Sequence, residues 1–288
     1  MGYRTFIIAV SAVALAATEP LAKIIQVIQG YEVTYPAGRI GGASPQGLPS
    51  NYVKIPPAKE YYLDYQVMFM SDFEWVKGGK LPGLVGGSHT SGCNSIVPDG
   101  WSARFMWVGG GRGEVYLYNQ DRSNRCGDNY GFSSGTFVKS RWHRISEHVV
   151  INSPGQNNGL VEAWLDGKKV NTLNNVQLRG RVAENVALVD WVSLQTFYGG
   201  STNDWAPPRN THARFAGYYV RDDLPDFTQP FEAPSAVVLP MGAHAKKPGR
   251  GLVAWLGGDM PLPGLAIYDL HGKRIGRPAA GIMLLAPR

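Results

Sequence analysis

From about Gln26 to Gln229 the chain is built of short alternating apolar and polar runs separated by glycine-rich turns, with no amphipathic helix of useful length. A period of two commits a chain to sheets, because successive side chains of a strand point to opposite faces. Tyr61–Met70 reads as a long strand, and Trp101–Trp107 and Glu114–Tyr118 alternate in the manner of half-buried strands. Trp142–Asn152, Trp191–Tyr198 and Ala213–Val220 read as further strands, and Leu160–Val170 as a hairpin turning at Asp166-Gly167. The 36 glycines and 20 prolines supply the turns between them. The expected fold is all-β: a β-sandwich or jelly roll over residues 23–232, followed by a short C-terminal β tail.

The two ends read differently. Arg4 precedes a short apolar run rich in small residues, ending near Ala16 or Ala22, which is the layout of a signal peptide over residues 1–22. The run is too short to span a bilayer, so a secreted protein with no membrane segment in its mature form is expected. Two cysteines, Cys93 and Cys126, in an exported chain are expected to form a disulfide. Asp222 to Pro240 is rich in proline and marks a boundary; residues 233–288 then read as a linker and a small β segment. That segment, with Gly264–Ile275 as a hairpin and Gly281–Leu285 as a strand, resembles the C-terminal sorting segments of exported bacterial proteins.

The net charge of +6 says little about partners. Residues 235–288 hold seven basic residues against two acidic ones, so most of the excess lies in the tail. Affinity for a polyanion must come from local clustering. No nucleic-acid partner is expected, and a monomer is. With no cysteine–histidine cluster and no acidic calcium loop, neither a metal nor a cofactor is expected.

The densest polar and aromatic cluster lies between Lys80 and Tyr118. Ser102 and Arg104 are two residues apart and share a sheet face; Tyr116 and Tyr118 do the same on the next strand. If these strands are neighbours, one face carries all four, and Lys80 reaches over it from a loop. Trp101, Phe105 and Trp107 are left to fill the core. An arginine fork holds a carboxylate at two points. Tyrosine serves as an acid or a base, and lysine serves as a base when its pKa is depressed.

The stretch from Gly78 to Gly217 resembles polysaccharide lyase family 14. The carriers are Gly-Gly-Lys80-Leu-Pro-Gly-Leu, Gly-Trp-Ser102-Ala-Arg104-Phe-Met-Trp and Glu-Val-Tyr116-Leu-Tyr118. Trp142-His143, Asn152, Asn158-Gly159, Trp164-x-Asp166-Gly167 and Phe197-Tyr-Gly-Gly200 with Trp205 extend the match. The resemblance implies a jelly roll whose cleft holds Lys80, Ser102, Arg104, Tyr116 and Tyr118, and it also supports the Cys93–Cys126 bridge. It implies cleavage of an acidic, uronate-containing polysaccharide of the alginate or glucuronan type by β-elimination. Arg104 would bind the carboxylate with Ser102 orienting it, while Lys80 and one tyrosine divide the base and acid roles. His143, Gln195 and Trp205 are expected to line the cleft. A lysine base implies a high pH optimum, since the neutral amine is scarce at pH 7.

Two other readings remain open at this stage. A sandwich glycoside hydrolase needs a pair of facing carboxylates, and only Glu114, Glu147 and Glu162 fall on expected strands. A non-catalytic carbohydrate-binding module would need exposed aromatics and no lysine, arginine and tyrosine pair on one face.

Overall fold

A computed structural model describes residues 24–229, together with four short strands beyond them. The alternating runs become β1 (Ile24–Tyr35), β2 (Tyr52–Ala58), β3 (Glu60–Phe69), β4 (Gly78–Leu81), β5 (Gly83–Gly87), β6 (Gly100–Val108) and β7 (Arg112–Tyr118). Then follow β8 (Asp128–Gly131), β9 (Trp142–Val150), β10 (Gly159–Leu165), β11 (Lys168–Val176), β12 (Val189–Ser193), β13 (Phe197–Tyr198) and β14 (Thr211–Arg221). All pairings are antiparallel, in a six-stranded sheet ordered β1-β14-β3-β9-β10-β11 and an eight-stranded sheet that holds the rest.

The two sheets bury one face each against the other. Leu63, Tyr65, Val67 and Phe69 of β3 alternate inward, as do Ile145 and Val149 of β9. Trp101, Ala103, Phe105 and Trp107 of β6 meet them from the eight-stranded sheet at 0% exposure. Burying such large aromatic side chains stabilises by about 1.5–3 kcal/mol apiece. The β10–β11 hairpin turns at Asp166 and Gly167, whose φ values of +52° and +79° suit a two-residue loop that follows the strands' own twist.

The expected strand Trp191–Tyr198 is two strands, with a break at residues 194–196. The cause lies on the adjacent line. β4 and β5 both pair along one edge of β6 and are interrupted at Pro82, which has no N–H for a ladder. β12 continues against β5 and β13 against β4, so the break is carried across. Backbone groups freed there are met from the facing sheet. Tyr65 donates its hydroxyl to Pro82 O at 3.1 Å, and the Glu147 carboxylate accepts Leu84 N–H at 2.7 Å. Tyr31 donates to Leu194 O at 3.3 Å, and the Tyr35 hydroxyl lies 2.6 Å from that of Thr196.

The chain leaves β14 across the outer face of the six-stranded sheet. Asp226 O accepts from Arg144 at 3.2 Å, and the Phe227 ring stacks on Trp164 at 5.9 Å. Further on, β15 (Val253–Trp255) pairs with β18 (Met283–Leu285), and β16 (Ile267–Tyr268) with β17 (Arg274–Gly276), where the hairpin-like unit was expected. The signal-peptide stretch 1–22 and the boundary near residue 232 lie outside the described residues.

Candidate active site

Cross-strand register builds the site. Directly opposed residues of neighbouring strands point to the same face. β6 and β7 pair Ser102 with Tyr118, Arg104 with Tyr116 and Met106 with Glu114. On the other edge of β6, Lys80 pairs with Met106, and Phe197 of β13 follows beside Lys80. All these side chains stand on the outer face of the eight-stranded sheet, while their odd-numbered neighbours on β6 fill the core. Lys80 is therefore a strand residue, not the loop residue expected. Gly79 makes this possible: a Cβ there would lie 2.2 Å from the Trp107 ring, so only glycine lets β4 close on β6.

Arg104 is the centre of the group and is only 2% exposed. One of its terminal nitrogens donates to Gln195 Oε1 at 3.1 Å, and Tyr52 donates to the same oxygen at 3.3 Å. Its Nε has no partner. Among the described residues no carboxylate pairs with this guanidinium. Burial works against its charge, and the surrounding tyrosines Tyr52, Tyr118 and Tyr116 work for it. A buried cation held by neutral groups alone is costly unless an anion arrives to meet it.

Lys80 Nζ lies 3.0 Å from Met106 Sδ and 3.9 Å from the centre of the Tyr116 ring. Burial, aided by the Arg104 charge and opposed by Glu114, lowers its pKa to about 7. A substantial fraction of neutral amine is thus present at neutral pH. Gly199 leaves the ammonium its space, since a Cβ there would stand 3.2 Å from Nζ.

The two tyrosines are buried and face each other with hydroxyls 3.2 Å apart. Burial first, and then the hydrogen bond with Tyr118, raise the pKa of Tyr116, so its proton stays in place across the working range. The Tyr118 hydroxyl also accepts the backbone N–H of Cys93 at 3.0 Å. Ser102, expected to orient Arg104, instead donates to Thr90 O at 2.8 Å and so anchors the loop after β5. That loop also carries Cys93, which is bonded to Cys126.

The structure separates the remaining residues. Gln195 stands beside Arg104, aimed there because the chain is free of ladder pairing at residues 194–196. Trp205 packs in a short turn against Gly200, next to Gly199 and so flanking the Lys80 end. His143 is not at the site. It lies on β9 in the other sheet, 1% exposed, with Nδ1 2.9 Å from Asp166 and Nε2 accepting Val138 N–H at 2.7 Å. Its place on the inner side of that sheet makes it a pin for the β10–β11 turn. Asn152 is likewise structural: its amide donates to three backbone carbonyls, those of Ser153, Gln156 and Arg179.

Met106 and Tyr52 belong to the site and were missed. Met106 shares the parity of Ser102 and Arg104, so period two alone would have found it. Tyr52 arrives through the β2–β12 pairing and carries no local signal.

A two-sheet antiparallel β fold bearing lysine, arginine and paired tyrosines on one outer face defines a polysaccharide lyase. The chain belongs to the family described as Polysaccharide lyase 14, whose model matches residues 26–218. Among solved structures, alginate lyase Aly36B is 25% identical with a TM-score of 0.57, over 67% of this chain and 80% of that one. The marine PL-14 alginate lyase from Aplysia kurodai is 28% identical with a TM-score of 0.53, over 66% and 81%. Alginate lyase vAL-1 from Chlorella virus shares the fold at 20% identity and a TM-score of 0.54, over 70% and 89%. Variants of Aly36B have been solved with an alginate tetrasaccharide and a trisaccharide. No curated protein matches the chain.

Proposed function

We propose that this protein is a secreted lyase that cleaves a uronate-containing polysaccharide, of the alginate or glucuronan type, by β-elimination, leaving an unsaturated uronate at the new chain end. The observation that carries this reading is the buried Arg104 guanidinium with no carboxylate of its own. A substrate carboxylate takes the place of Gln195 on its fork, and the bidentate bond strengthens as negative charge moves onto the carboxylate. The neutral Lys80 amine takes the C5 proton. The C5–H electrons become the C4–C5 double bond, the C4–O bond breaks, and Tyr116 gives its proton to the departing glycosidic oxygen. Lys80 then carries the proton as an ammonium against the ring of the tyrosine that lost one, so returning it to Tyr116 resets both groups.

The three glutamates that the rival hydrolytic reading would use lie on separate surfaces. Glu114 is bonded to Asn129 at 2.6 Å, Glu147 is buried between the sheets, and Glu162 pairs with His148 and Lys169 on the six-stranded sheet. Secretion rests on the leader-like residues 1–22 and on the disulfide. The relatives solved with alginate oligosaccharides support an acidic polymer as substrate.

The test is ultraviolet absorbance of the unsaturated product on mannuronan, guluronan and glucuronan, with Lys80→Ala as control. At least one polymer should yield absorbing ends with the native protein and none with the variant. A folded native protein that generates none on any of the three overturns the reading.

A further inference from the structure

Tyr118 is held from outside its own strand. Besides accepting Cys93 N–H, its ring lies 4.9 Å from the Arg122 guanidinium carbon. Gly127 lies against the same ring, so that a Cβ there would come within 2.7 Å of it. These contacts come from two loops, one between β5 and β6 and one between β7 and β8. The loops are tied to each other twice: by the Cys93–Cys126 bridge and by a hydrogen bond from Arg122 to Asn94 O. Asp128 fixes the second loop by accepting the N–H groups of Ser123 and Asn124 at 3.0 Å each.

Cys93 has a φ of +64°, in the left-handed region that side chains disfavour. Such a conformation is disfavoured for a non-glycine residue and persists where surroundings impose it, often at functional sites. Here it aims a backbone N–H at a buried hydroxyl of the catalytic face.

The direction of that bond matters. A backbone N–H can only donate, so it occupies a lone pair of Tyr118 Oη. That fixes the Tyr118 hydroxyl from one side, with Tyr116 Oη 3.2 Å away on the other. Lys80 and Arg104 lie against the ring of Tyr116. We propose that the Cys93 N–H, held by the disulfide and by the Arg122 stack, is a positioning group that fixes the Tyr118 hydroxyl against that of Tyr116, so that the bridge supports turnover as well as stability. The proposal rests on the lyase reading for its role, but the positioning itself can be measured without substrate.

The experiment compares native protein and Tyr118→Phe, each oxidised and mildly reduced, with folding checked by circular dichroism and melting. Reduction of the native protein should lower kcat roughly tenfold or more, within the range for a positioned acid, and leave KM within about twofold because Arg104 is untouched. It should move the alkaline limb of the pH–rate profile and spare the lower one. In Tyr118→Phe, reduction should add nothing, since coupled groups are not additive. Arg122→Gln, which keeps the bridge, should reproduce part of the kcat loss in the native background and none in Tyr118→Phe; it serves if reduction unfolds the protein. Tyrosinate absorbance titration of the substrate-free protein should show one ionisation step that moves on reduction, or in Arg122→Gln, and is fixed in Tyr118→Phe. If the losses from reduction and from Tyr118→Phe simply multiply, or if folded reduced protein keeps its kcat and its titration, the proposal is overturned. A native protein inactive on every uronan whose tyrosine titration still responds would overturn the lyase reading and leave the positioning intact.

Discussion

The Lys80 ammonium lies 3.9 Å from the centre of the Tyr116 ring, so the proton acceptor and the proton donor of the proposed elimination are in direct contact. Neither group alone has an ordinary acidity. Burial depresses the lysine and raises the tyrosine, each toward its neutral form. A neutral base beside a neutral acid is the pairing that elimination requires.

The first prediction concerns pH. With the Lys80 pKa lowered to about 7, the protonated form below that value cannot accept the C5 proton. Hence kcat/KM should rise with pH through about 7 and level off above it. Lys80→Arg keeps the cation but has no accessible neutral form, so it should lose on the order of 10²- to 10⁴-fold at every pH. A wild-type profile flat from about pH 5 to about pH 9 would remove Lys80 from the base role.

The second concerns Arg104. Arg104→Lys should fail nearly as badly as Arg104→Ala, by on the order of 10²- to 10³-fold in kcat, because the two-point grip is lost with the fork. Gln195→Glu should act differently. It places a built-in carboxylate on the fork where the substrate must bind. A charge-assisted bond of about 1.5–3 kcal/mol would raise KM roughly ten- to a hundredfold, and kcat far less. Steady-state kinetics on purified, folded variants decide it; unchanged KM in Gln195→Glu would show that the substrate does not displace this contact.

Glu147 carries a stability prediction. Burial between the sheets holds its pKa well above the ordinary carboxyl value, with the Leu84 N–H bond opposing. Above the ordinary value the unfolded chain gives up this proton while the folded chain keeps it. The folded state then binds more protons, so this residue's contribution falls as pH rises. Glu147→Gln should flatten the loss of stability between about pH 5 and about pH 8. Glu147→Leu should cost about 1–3 kcal/mol near pH 5 by orphaning Leu84 N–H, and less near pH 8. Urea melts of the three proteins at both pH values would show it, and parallel curves for wild type and Glu147→Gln would refute it.

A chain ending at Gln229 should keep full activity, because the site is complete well before that point. One ending at Arg221 should not fold as well, since Asp226 O and the Phe227 ring cap Arg144 and Trp164 on the six-stranded sheet. Phe227→Ala should cost about 1–2 kcal/mol for a half-buried ring. Thermal melts check both; equal stability of the two truncations would show that the strap contributes nothing.

What the sequence determined by itself was local periodicity and its consequences. Alternation put Ser102, Arg104 and Met106 on one face and Trp101, Phe105 and Trp107 on the other, and Asp166-Gly167 marked its hairpin. These are properties of a strand whatever it pairs with, so they can be read along the chain. Tertiary structure decided which faces meet. Lys80 became a strand neighbour of Met106 only through the β4–β6 register, and Gln195 reached Arg104 only because Pro82 broke the ladder beside it. Ser102 turned to Thr90 and His143 to Asp166 through contacts far apart or in another sheet. The acidity of Lys80 was likewise beyond the sequence. It depends on how much water the whole fold removes from one amine, and desolvation is a sum over neighbours that only pairing brings together.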